Sequence, residues 1–148
     1  MLQLCKITDS LLISNTKSAC SEELLTQEGV TFCINVSRQQ PFPSLGLGTL
    51  RVPVLDDPSE NLHSYFEQCA GIIEDVVQKG GRCLVYCKNG RSRSAAVCIA
   101  YLMKHRHLKL EDAFEIVRIA RPVVQPNVGF WSQLKEYEQC LQEEALNE

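Results

Sequence analysis

The sequence predicts an α/β sandwich, a central and largely parallel sheet flanked by helices, in one domain spanning residues 1–148. Three observations carry that prediction. Short β-prone apolar runs alternate with longer segments of helical periodicity, the pattern of parallel strands joined by helical crossovers. With 148 residues and 45% hydrophobic content, the chain can fill one sizeable core and has little left for a second. A polar, glycine-containing run from Cys87 to Ser94 separates an apolar strand from an apolar helix, and the carboxyl end of a strand is where open α/β sheets bind ligands.

Taken in order, Lys6 to Ser14 reads as a strand centred on Leu11-Leu12-Ile13. Ser21 to Glu28 reads as a helix, with Ser21 capping its first amides and Gly29 closing it. Val30 to Val36 returns as a strand, and Gln39 to Gly48, rich in proline and glycine, is a loop. Leu50 to Val54 is a further strand that Pro53 makes short or confines to an edge. After the turn-like Leu55 to Glu60, Leu62, Phe66, Cys69, Ile73 and Val76/Val77 recur at helical spacing as far as Gly80-Gly81. Leu84-Val85-Tyr86 is a buried strand ending at Cys87, and Ala95 to Met103 belongs to a buried helix reaching about His105. Two amphipathic helices follow, one presenting Leu110, Ala113, Phe114 and Val117, the other Phe130, Leu134, Tyr137 and Leu141.

Composition removes several function classes. A net charge of −3 gives no global steering toward nucleic acid, and no run of eighteen apolar residues suggests membrane insertion. The eight cysteines show no Cys-x2-Cys or Cys/His metal spacing, so neither a metal site nor a cofactor is expected. Reduced thiols point to an intracellular protein, cytoplasmic or nuclear. His63, His105 and His107 share no ligand spacing and read as non-catalytic.

The run Cys87-Lys88-Asn89-Gly90-Arg91-Ser92-Arg93-Ser94 carries the chemistry. It opens at a helix N-terminus, where unpaired amides and the positive end of the macrodipole favour an anion. Lys88, Asn89, Gly90, Arg91 and Ser92 are the candidate cradle, with Gly90 allowing the tight turn. Arg93 can fold back and grip two oxygens of a phosphate with its planar fork. The same field favours the thiolate of Cys87, the candidate nucleophile, and the Ser94 hydroxyl can donate toward the sulfur.

The Cys-x5-Arg-Ser pattern resembles the signature of the protein tyrosine phosphatase superfamily, its Arg-Ser ending resembles the dual-specificity branch, and the wording of Tyr86 to Ser94 with Asn35 to Pro41 upstream resembles the atypical members of that branch. The likeness runs along most of the chain, through Val30 to Ser37, Arg51 to Asp57, and Pro126-Asn127, Gly129-Phe130 and Gln133-Leu134. It implies the phosphatase-like sandwich and a phosphorylated protein as substrate, with phosphotyrosine and phosphoserine/threonine hydrolysed through a phosphocysteine. By the family's spacing Asp56 is the general acid and base, with Asp57 the second candidate.

The chain departs from that family at Tyr86, where members carry a histidine that steadies the thiolate. A neutral phenol supplies no such charge, so the expectation is a working but slow enzyme. Tyr86 also fits a plain role as a β-favouring core residue. Two other functions stay open: a phosphoprotein-binding module, favoured by Tyr86, and a phosphoinositide or other non-protein phosphatase, favoured by Lys88 and Arg91. Cys83 and Cys98 flank the nucleophile and read first as core packing, second as partners for an oxidised Cys87.

Overall fold

The computed structural model describes all 148 residues. In chain order the elements are β1 (Cys5–Lys6), β2 (Leu11–Asn15), α1 (Thr16–Ala19), α2 (Glu22–Gln27), β3 (Phe32–Asn35), β4 (Gly48–Arg51), α3 (His63–Gln78), β5 (Cys83–Cys87), α4 (Arg93–His105), α5 (Leu110–Ala120) and α6 (Val128–Leu146). The strands form one sheet in the order β1-β2-β5-β3-β4, parallel throughout except for the antiparallel β1. The expected sandwich is therefore present, with β5 at its centre and Cys87, the candidate nucleophile, at the carboxyl end of that strand.

Alternation along β5 divides the interior in two. Cys83, Val85 and Cys87 face a core of 31 buried residues shared with α3 to α6, whereas Leu84 and Tyr86 face a core of eight shared with residues of α1 and α2. Eleven of the thirteen residues of α4 are buried, which makes it the central helix, enclosed by its neighbours rather than lying on the surface. A helix so enclosed gives its N-terminus a fixed position, and the phosphate-binding candidates sit on that N-terminus.

Two local expectations are corrected, and one element is present that the sequence did not announce. The single strand over Lys6–Ser14 is two strands, because the Thr8 hydroxyl accepts from the amides of Ser10 and Leu11 and bends the chain into a turn. β1 then folds back as a two-residue antiparallel edge. The strand expected over Leu50–Val54 instead starts at Gly48 and stops at Arg51. The Val52 amide still donates to Asn35, but Pro53 has no N–H and Val54 donates back to Val52, so the chain leaves the sheet here. The third difference is α1, whose single turn is held by the Asn15 side chain accepting from Ser18 at 2.8 Å, a cap too short to show as periodicity.

Candidate active site

The segment after β5 curls so that its carbonyls point outward. The oxygens of Lys88, Asn89, Gly90, Arg91 and Ser92 accept in turn from Thr16 N, Arg121 Nη2, Arg121 Nε, Gln125 N and Ala96 N. The amides of the same five residues have no acceptor within the protein. A run of unpaired donors at the start of α4, which has no side-chain cap of its own, is suited to hold an anion. Gly90 makes the curl with φ of 61°. A Cβ there would lie 2.6 Å from the Ser14 carbonyl carbon, so both the conformation and the space demand glycine.

Cys87 is buried at the floor, its Sγ 3.1 Å from Ser94 Oγ. The Arg93 guanidinium is also buried: Nη1 donates to Val54 O at 3.0 Å, and Nε has no partner in the protein. An unpaired buried guanidinium N–H is costly, and an anionic ligand at the cradle is the group that offsets it. Asp56, Cys87, Asn89, Arg91, Ser92, Arg93 and the Gln125–Val128 segment line a cleft of about 320 Å³. Lys88 and Gly90, expected in the cradle, do not line this cleft: Lys88 is exposed, and Gly90 is buried against the backbone of Ser14 and Asn15. Ser92 reaches the cleft but is also structural, since its Oγ accepts from Asn127 N at 2.9 Å.

The two aspartates differ in what holds them. Asp56 borders the cleft, and its Oδ1 accepts from Asn127 Nδ2 at 2.9 Å. Asp57 turns away to accept from the amide and hydroxyl of Ser59, which lower its pKa below the usual carboxylate value. Asp57 is therefore a turn residue. Glu60 closes the base of the same loop, accepting from Leu55 N at 2.8 Å and pairing with Arg38.

Tyr86 lies wholly on the other side of the sheet. Its ring is buried in the smaller core, its hydroxyl donates to Pro41 O at 2.8 Å, and burial pushes the phenol up, so it stays neutral. Burial likewise raises the thiols of Cys83 and Cys98 well above their ordinary value, which favours packing over thiol exchange. All eight cysteines are free, and no cluster of His, Cys, Asp and Glu has metal-site geometry. No helix is long and apolar enough to cross a membrane.

Sequence reasoning did not single out Arg121, whose guanidinium fastens two loop carbonyls from 31 and 32 residues away. One arginine after an amphipathic helix gives no signal. Asn127 and Gln133 were legible only within the resemblance of the closing helix, without a role.

The chain matches the family model "Dual specificity phosphatase, catalytic domain" over residues 11–140. It is 54% identical to dual specificity phosphatase 28 of Mus musculus over 142 residues, covering 95% of this chain and 87% of that protein. The crystal structure of human dual specificity phosphatase 28 superposes with a TM-score of 0.92 at 55% identity, covering 94% of this chain and 95% of that one. That of a mouse putative dual specificity phosphatase complexed with zinc tungstate gives 0.95 at 53% identity, covering 98% and 92%.

Proposed function

Because this chain belongs to the dual-specificity phosphatase family and is an enzyme of that class, we propose that it hydrolyses phosphotyrosine and phosphoserine/threonine in proteins through a phosphocysteine intermediate. The observation that carries the reading is the curl of Lys88 to Ser92, five outward carbonyls and five free amides around a buried cysteine and arginine. Tungstate is a tetrahedral oxyanion like phosphate, so the zinc tungstate complex of the mouse relative supports an oxyanion site in this fold.

In the reaction the Cys87 thiolate attacks phosphorus, the P–S bond forms and the P–O bond to the substrate breaks. Asp56 gives its proton to the departing oxygen. Arg93 and the loop amides hold the three remaining oxygens, whose charge is greatest in the transition state. Water then attacks the phosphocysteine and loses its proton to Asp56, and Cys87 leaves as a thiolate that the Ser94 hydroxyl, 3.1 Å away, stabilises. Tyr86 supplies no positive charge beside the nucleophile, so turnover is slow.

Kinetics on phosphotyrosine, phosphothreonine and phosphoinositide substrates test this. Cys87→Ser abolishes hydrolysis, Arg93→Lys lowers kcat/KM about 1,000-fold, and Asp56→Asn lowers kcat about 100-fold. Hydrolysis surviving in Cys87→Ser would end the phosphocysteine mechanism. Faster turnover of phosphoinositides than of phosphopeptides would replace the protein substrate.

A further inference from the structure

The closing-helix residues Asn127, Gly129 and Gln133 enter none of the chemical steps, yet all three meet the loop that carries Asp56. Gln133 Oε1 accepts from the amides of Leu62 and His63 at 2.9 and 2.8 Å, and its Nε2 donates to Glu60 O at 2.8 Å. Gly129 is pressed so closely on the Pro58 backbone that no side chain fits between them. Asn127 joins three parts of the site. Its backbone N donates to Ser92 Oγ in the phosphate loop, its Oδ1 accepts from Phe130 N as the cap of α6, and its Nδ2 donates to Asp56 Oδ1, each at 2.9 Å.

The side chain cannot turn around without losing both of its bonds. A flipped amide would set its oxygen against the Asp56 carboxylate and its NH2 against the Phe130 N–H, two repulsions in place of two attractions. The requirement for a helix cap therefore fixes which way the donor points. With Oδ1 of Asp56 engaged by that donor, the proton of the carboxylic acid resides on Oδ2, the oxygen free to meet a leaving group.

We propose that Asn127 is the positioning residue of the general acid: it ties Asp56 to the phosphate loop through Ser92 and selects the carboxyl oxygen that delivers the proton. The inference rests on Asp56 being the acid. It extends that reading by assigning the acid's geometry to α6, 71 residues away, rather than to its own exposed loop.

Two variants separate the donor from the cap. Asn127→Asp and Asn127→Ser both retain an oxygen able to cap Phe130 N, and both remove the Nδ2 donor. Steady-state kinetics on phenyl phosphate, a poor leaving group, and on a dinitrophenyl phosphate, a good one, form the test, with thermal unfolding alongside. The expected result is a loss of kcat of about 10-fold on phenyl phosphate with KM unchanged, and little loss on the activated ester, since only the former needs a well-placed proton. In the Asp56→Asn background the Asn127 substitutions should cost no further activity. Equal losses on both esters, or losses that multiply with Asp56→Asn, would make Asn127 merely structural and overturn the inference while leaving the acid in place. If Asp56→Asn itself shows no leaving-group dependence, the acid assignment fails and the inference with it.

Discussion

The candidate phosphate loop and the loop carrying Asp56, the proposed acid, border one cleft, yet they are held by different means. Residues 88–92 are fixed through their own backbone, each carbonyl engaged by an amide or by Arg121, with Gly90 wedged against Ser14 and Asn15. The loop carrying Asp56, Leu55 to Ser59, is exposed and is held at three points: Asn127 at the cap of α6 donates to Asp56, Gly129 lies against the Pro58 backbone, and Glu60 accepts from Leu55 N. A cradle for a ligand's charge needs rigid donors, and backbone dipoles fixed in place serve without reorganisation. The acid needs one carboxyl oxygen at one position, which a few long-range hydrogen bonds can set.

The strongest break of this comparison is Gly90→Ala. The methyl would enter the Ser14 and Asn15 backbone at 2.6 to 2.7 Å, and a φ of 61° is strained for alanine. The loop must then uncurl, so kcat/KM should fall about 100-fold, with inhibition by tungstate weakening in parallel. Retention of tungstate inhibition in this variant would show that the cradle does not depend on the curl.

Gly129→Ala is the matching test on the acid side and should have a smaller effect. Alanine gains about 1 kcal/mol of helix propensity within α6, but its methyl would overlap the Pro58 carbonyl, and backbone on both sides leaves that overlap no cheap relief. The acid loop should lift off the helix, lowering kcat on poor leaving groups about 10-fold while tungstate inhibition stays as in the wild type. Loss of tungstate inhibition here would mean that the two loops move as one body.

The same contrast explains what the sequence makes legible. The candidate phosphate loop is contiguous, so its proposed nucleophile, arginine, serine and glycine stand in one octapeptide between a strand and a helix. Asp56 was singled out as the candidate acid through the resemblance to the family, and the structure separates it from Asp57 by what each carboxylate accepts from: Asn127 for one, Ser59 for the other. Arg121 and Gln133 escape because the partners they hold at the site are backbone groups 31 to 73 residues away, and backbone partners leave no residue type to pair in a sequence. Boundaries fail where one side chain overrides periodicity, as Thr8 does in splitting the first strand and Pro53 in ending β4.

Tyr86 belongs to neither loop, and its substitution should give the smallest effect and the most instructive sign. The ring sits on the far face of β5, so histidine there would not line the cleft; it would place an ionisable ring one residue from the sulfur, behind the cradle. Tyr86→His should raise kcat/KM about 3-fold and move the acidic limb of the pH–rate profile to lower pH, because an imidazolium favours the thiolate where a neutral phenol does not. It should also lower thermal stability. The Tyr86 hydroxyl bond to Pro41 O is lost, worth about 1 kcal/mol, and a smaller polar ring replaces a fully buried one, at a further cost of about 1–2 kcal/mol. Faster turnover together with a lower unfolding midpoint would mean that tyrosine stabilises the smaller core at the expense of the nucleophile. An unchanged pH–rate profile would confine Tyr86 to packing, and slow turnover would then have to originate on the cleft side of the sheet.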